Sequence, residues 1–306
     1  MVQKYLIGLF EKVNISNKSK MVYINNLSNL NNKKKILNLN YLSNTTNLMD
    51  QLSDKTAITK RNYLISVCKG LSLVKRNTKL NEAYVFYKKE LMALNSEIKS
   101  NVASDTSLSN WITLDEIRVQ LVKYKKLFNR MDKKVSITND DWNQMINGIV
   151  LFLYTLIPPR RTTDYQDMIV IDGQDDHDGL SSNLLNVDDK KFIFKNYKTK
   201  KIYGDQIVII PSNLMKYINI YLKFHPCKGG LKWFFVKLNG NRFINNGFIH
   251  SRLSSIFNKN VGSTQMRRIY LTSKYKPKQD EMKKDAVEMG TSTNVINSNY
   301  IKQNLN

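Results

Sequence analysis

Residues 100–110 read Ser-Asn-Val-Ala-Ser-Asp-Thr-Ser-Leu-Ser-Asn, a stretch of small and polar side chains with almost no large apolar residue. No core can be built through such a segment, so it reads as a linker that divides the 306-residue chain into two folding units. Upstream, residues 1–36 are rich in Asn, Ser and Lys and suggest a loosely ordered arm or a first short helix. Residues 37–103 repeat apolar side chains at three- and four-residue steps (Leu48, Leu52, Tyr63, Leu64, Val67, Leu71, Tyr84, Tyr87, Leu91, Leu94), the signature of small amphipathic helices. The linker proper spans 104–110, and residues 111–306 form the second domain.

That second domain starts with Thr113 as the N-cap of a helix over Leu114–Arg130, with Asp115 and Glu116 in its first turn where they suit the helix dipole. A more apolar helix over Asp140–Ile157 ends at Pro158-Pro159. Met168–Ile171, Lys191–Thr199 and Ile202–Ile210 read as strands, the last two a hairpin over Lys200-Lys201. Helical periodicity returns in Leu214–Phe224, Phe248–Asn258, Gln265–Lys274 and Asp280–Met289. The expected class is mainly α with a small antiparallel β-sheet (α+β): a helical domain, then a mostly helical one.

The formal net charge of +23 makes nucleic acid the leading partner, because such a surface gathers polyanions and releases their counterions. An AT-rich coding sequence would also enrich Lys, Asn and Ile, so charge alone does not decide the point. Cys68 and Cys227 are far apart and stand at no metal-ligand spacing, which argues against a disulfide framework or a zinc site and for a reducing compartment. The apolar run Ile149–Pro159 is too short to span a bilayer, and Tyr5–Phe10 lacks the length of a signal peptide, so no membrane partner and a soluble intracellular protein are expected.

Three segments carry chemistry. In Pro158-Pro159-Arg160-Arg161-Thr162-Thr163-Asp164-Tyr165 two arginines follow a helix end, and Asp164 sits one turn after Arg161, where it can fix or buffer a guanidinium. A guanidinium fork suits a phosphodiester whose nonbridging oxygens gain charge in the transition state, although a helix-end salt bridge has the same sequence pattern. Lys195, Lys198, Lys200 and Lys201 crowd the hairpin turn, where an ammonium can reach a groove and protonate a leaving oxygen; a solvated turn reads alike. Near the end stand Thr264-Gln265-Met266-Arg267-Arg268 and then Gly290-Thr291 through Asn299-Tyr300.

Arg, Lys, Arg and a terminal Tyr in this order resemble the tyrosine recombinases, the phage-type integrases. The likeness covers about Asn110 to Lys302 and extends to the helical first half only in pattern, where the family keeps a core-binding DNA clamp. The Pro-Pro-Arg-Arg-x-x-Asp-Tyr form resembles integrase-like proteins of large DNA viruses and their parasites, which would place the protein on DNA in a host nucleus or cytoplasm. The resemblance implies Arg161 as the first catalytic arginine with Asp164 its acid and Arg160 a neighbouring candidate. It implies Lys198 as the general acid, with Lys195 or Lys200 in a shifted register, Arg267 as the second arginine and Tyr300 as the nucleophile. Arg160, Lys195, Lys200, Lys201 and Arg268 are then DNA contacts. Thr264 stands where the family has His, and Thr291 where it has His or Trp; threonine donates a hydrogen bond but is no base near neutral pH.

The implied activity is site-specific recombination of double-stranded DNA through a 3′-phosphotyrosyl intermediate, by a dimer or tetramer, without cofactor or metal. A type IB topoisomerase shares this chemistry, and a DNA-binding protein impaired by the two threonines would lack it. The acidic stretch Asp172, Asp175, Asp176 and Asp178 with His177 could instead suggest a metal-dependent nuclease, but it lacks ordered ligand spacing and reads as a loop between strands. His225 and His250 have no evident catalytic partner and read as structural or exposed.

Overall fold

A computed structural model describes residues 4–11, 13–98, 109–171, 179–229, 231–245 and 247–297. Two compact units emerge, Met1–Ala103 and Ser104–Asn306. Most of the expected linker, 104–108, and the acidic stretch 172–178 lie outside the described residues.

The first unit holds helices α1 (Lys4–Glu11), α2 (Asn17–Leu30), α3 (Thr45–Gln51), α4 (Ala57–Ser72) and α5 (Thr78–Ile98). Helix starts follow cap chemistry: the Ser16 hydroxyl accepts from the Ser19 amide and the Thr56 hydroxyl from the Thr59 amide. Residues 1–36 are not the loose arm or single short helix expected, since Leu6, Phe10, Ile24, Leu27 and Leu30 are buried in the same core as Leu64, Val67, Leu71 and Tyr87. Burial of those apolar side chains outweighs the poor helix propensity of the Asn- and Ser-rich residues between them. Gly70 admits Leu27, whose Cδ1 would lie 3.1 Å from a Cβ at that position.

In the second unit α6 (Leu114–Asp132) starts with a capping box in which Thr113 Oγ1 accepts from the Glu116 amide at 3.1 Å and Glu116 Oε2 from the Thr113 amide at 2.8 Å. Helix α7 (Asn139–Thr155) has the same device from Thr138 and Asp141. It is the central helix, buried from Met145 to Tyr154 and packed by α6, α10 (Ser212–Lys223), α11 (Phe248–Phe257) and α12 (Ser263–Glu288). Between α7 and α10 lie the short helix α8 (Thr162–Gln166), the helical turn α9 (Lys200–Tyr203) and four of the strands.

The sheet has order β4-β3-β2-β1-β5, with β1 Ile169–Ile171, β2 Leu184–Asn186, β3 Lys191–Phe194, β4 Gln206–Ile209 and β5 Lys232–Trp233. The mainly α plus small β class holds, but the sheet is mixed rather than antiparallel: β1 and β2 run parallel, and the other pairs antiparallel. Two-residue β5 and three-residue β2 carry too few positions to show alternation in the sequence. The β3–β4 pair is shorter than the expected hairpin, and Lys200-Lys201 lie in α9 rather than in a two-residue turn. The Asn196 amide leaves the ladder to donate to Asn183 Oδ1 at 2.7 Å, and the Tyr197 hydroxyl donates to the Gly204 carbonyl at 2.6 Å, where φ is +65°.

Helix α12 runs unbroken over 26 residues through Pro277, where two helices are expected from the sequence. Proline there removes the N–H that would bond the Ser273 carbonyl, and Ser273 is exposed, so water can satisfy that group. From Leu271 to Asp285 every residue except the half-buried Met282 is exposed, before a short α13 (Thr293–Val295). Among the described residues no helix is long and apolar enough to cross a membrane.

Candidate active site

The site is set by how the chain leaves α7. Pro158-Pro159 stop that helix, and Arg160 is pinned at once: its Nε donates to Asp164 Oδ2 at 3.0 Å and its Nη1 to Gln206 Oε1 at 2.8 Å. Its guanidinium also lies 3.8 Å from the Phe194 ring centroid and 5.0 Å from that of Tyr197. Arg160 therefore joins α8 to β3 and β4, and Asp164 pairs with Arg160 at i,i+4 instead of serving mainly Arg161. Burial raises the Asp164 pKa above the usual carboxylate value, opposed by the Arg160 pair and by Arg161. Its Oδ1 finds no hydrogen-bond partner among the described residues.

Arg161, half-buried, is the N-cap residue of α8. The next residue, Thr162, donates its hydroxyl hydrogen to Ser263 Oγ at 2.9 Å, which ties the first residue of α8 to the first of α12. Ser263 and Arg267 lie one helical turn apart on one face, so this bond carries Arg267 toward Arg161. Beneath them the Tyr154 hydroxyl is buried beside Thr162 and Ser263, and desolvation holds its pKa well above a free phenol's despite the nearby Arg267 charge.

Arg160, Arg161 and Arg267 line one open depression of about 270 Å³, together with Tyr197, Thr199 and Gln206. Two guanidiniums from positions over a hundred residues apart thus share a surface with the paired Arg160. No protein-family model matches the chain, and no curated protein is significantly similar to it.

The remaining candidates divide by position. Lys198 is exposed between Tyr197 and Thr199, which both line the depression. Lys195 is half-buried, Lys200 pairs with Asp205 at 2.8 Å, and Lys201 is exposed. Thr264 and Arg268 are exposed on the first turns of α12, and neither lines the depression. Thr291 is not brought there: its amide donates to the Ala286 carbonyl at 2.8 Å in the cap of α12. The 21-residue separation of Arg267 from Glu288 on that helix corresponds to about 30 Å at 1.5 Å per residue. Tyr300 lies outside the described residues.

Sequence reasoning missed Asn183. Its Nδ2 donates to the Asp164 carbonyl at 2.9 Å and to the Asn196 carbonyl at 2.8 Å, so one buried amide holds α8 against the lysine-bearing segment. An asparagine just before a short strand gives no signal in one sequence. His225 is structural: its Nδ1 and Nε2 each lie 3.0 Å from a carbonyl, those of Cys227 and Trp233, and in the neutral ring with its proton on Nε2 the Cys227 amide donates to Nδ1 at 3.2 Å. Burial lowers its pKa, which favours this neutral form. His250 is exposed, and no cluster of metal-ligating side chains occurs among the described residues.

Proposed function

We propose that this protein is a site-specific DNA recombinase that cleaves and rejoins duplex DNA through a covalent bond between Tyr300 and a 3′-phosphate. The supporting observation is the shared depression of Arg161 and Arg267, with the Lys198 segment at its edge. Two guanidiniums there can each donate to a nonbridging oxygen and stabilise the charge that builds on phosphorus. The Tyr300 phenol gives up its proton to water as its oxygen bonds to phosphorus and the bond to the 5′ oxygen breaks, and Lys198 supplies the proton that the departing oxygen takes up. The 5′ hydroxyl of another strand then reverses the step, so the phosphodiester bond energy is retained. The chain's net charge of +23 supports a DNA partner, and strand exchange calls for two or four protomers on DNA inside the cell.

Arg160 has a different role in this reading. Held by Asp164, Gln206 and two aromatic rings, it sets the loop that presents Arg161. Thr291, capping α12 away from the depression, is not used by the chemistry. Arg161→Ala and Arg267→Ala should each lower single-turnover cleavage by about a hundred-fold or more, with much smaller losses of duplex binding. Equal losses of cleavage and binding in both variants would remove the catalytic role.

A further inference from the structure

A second basic pocket lies at the opposite end of α7. The arginine depression forms where that helix ends at Thr155, whereas Asn139 and Asn143, in the first two turns, line an open pocket of about 620 Å³. The 17-residue helix from Asn139 to Thr155 separates the two by about 24 Å. The facing wall is the turn from Lys237 to Asn241, closed by the Lys237 amide donating to the Asn241 carbonyl at 2.8 Å and by Gly240 at φ +82°. Lys237, Leu238 and Asn239 from this turn, with Phe243 just beyond it, complete the lining with the two asparagines.

Behind the lining sits Arg252 of α11. Its Nη2 donates to Asn143 Oδ1 at 3.0 Å and its Nη1 to Asn147 Oδ1 at 3.3 Å, and its guanidinium lies 5.5 Å from the Phe243 ring and 5.3 Å from that of Phe248. Among the described residues no carboxylate pairs with it, whereas nearby Arg242 is neutralised by Asp167. Burial lowers the Arg252 pKa, opposed by the neighbouring Tyr221 and Tyr124. A partly desolvated charge without a counter-ion is costly, and an anion in the adjoining pocket would offset that cost. The acids at the start of α7 do not fill this role: Asp141 is held by Lys134 at 2.6 Å, and Asp140 lines a different depression.

The pocket is also shaped for a ring. Phe243 stacks on Phe248 at 4.1 Å and 21°, which fixes its plane, and Asn143 is locked in orientation because its Nδ2 donates to the Asn139 carbonyl at 2.9 Å. A fixed aromatic ring, oriented amides and a lysine backed by an arginine that has no carboxylate partner among the described residues fit a planar heterocycle that carries a phosphate. We infer that this pocket binds a nucleotide, its phosphate at Lys237 within the field of Arg252 and its base against Phe243. The site is separate from the arginine depression and does not depend on the recombinase reading.

Calorimetric titration of the full chain with thymidine monophosphate, inorganic phosphate and a six-nucleotide single strand tests this. The monophosphate is expected to bind at one site per chain, about ten-fold tighter than inorganic phosphate, and to weaken about ten-fold or more in Lys237→Ala and Arg252→Gln, with partial recovery in Arg252→Lys. Lys237 is exposed, so its variant keeps the test valid if Arg252→Gln fails to fold. A hexamer that binds tighter than the monophosphate supports a strand as the source of the nucleotide, and one that does not supports a free nucleotide. Monophosphate binding that is absent, no tighter than phosphate, unchanged in Lys237→Ala, or lost in Arg267→Ala but kept in Lys237→Ala would overturn the inference.

Discussion

At the scale of single residues, neighbouring arginines with the same chemistry have been given different tasks by their surroundings. Arg160 meets a carboxylate, an amide and two rings, whereas Arg161 stands at the start of α8 facing the depression. Burial raises the Asp164 pKa against the pull of Arg160, so removing the carboxylate alone and removing the whole pair should have different costs. Asp164→Ala leaves the Arg160 charge with only Gln206 and the rings, and should lower unfolding free energy by on the order of 3 kcal/mol in urea titrations. The double variant Arg160→Met, Asp164→Leu should recover most of that loss while cleavage stays impaired. A double variant as unstable as the single one would show instead that the pair is a net stabiliser.

At the scale of elements, α7 organises the helices of the second unit, and its tight contact with α6 depends on one position. A Cβ on Gly148 would stand 2.6 Å from Phe128 Cε2 and 3.0 Å from Tyr124 Cδ1, both rings buried. Gly148→Ala should therefore cost about 1–3 kcal/mol by overpacking, against the small gain in helix propensity that an exposed glycine would return. A denaturant midpoint at or above that of the parent chain would refute the close packing. Elements with strong periodicity or cap chemistry were legible in the sequence: Thr113 starts α6 as expected, and Pro158-Pro159 end α7. Residues 4–30 were not, because Asn and Ser between the apolar positions mask helices whose stability comes from burial. Neither was the continuity of α12, since the cost of Pro277 is set by solvent access at Ser273 and not by the proline alone.

At the scale of the whole molecule, the sequence placed Arg161 and Arg267 in one order along the chain, and folding places them on one depression through the Thr162–Ser263 bond. That approach could not be read from spacing, because it depends on where α12 begins relative to α8. Asp164 was expected beside Arg161 from the three-residue spacing and the family resemblance, whereas its side chain pairs with Arg160. Asn183, the amide that holds α8 to the lysine segment, has a purely tertiary role and so left no trace in sequence pattern.

The proposed reaction joins the chain covalently to DNA through one phenol oxygen. The most direct measurement is to trap cleavage on a nicked duplex that loses its 5′ hydroxyl strand, digest the product with nuclease and protease, and identify the modified peptide by mass spectrometry. A nucleotide carried on Tyr300, with no adduct formed by Tyr300→Phe, is the predicted result. An adduct on any other residue, or an adduct that persists in Tyr300→Phe, would contradict it.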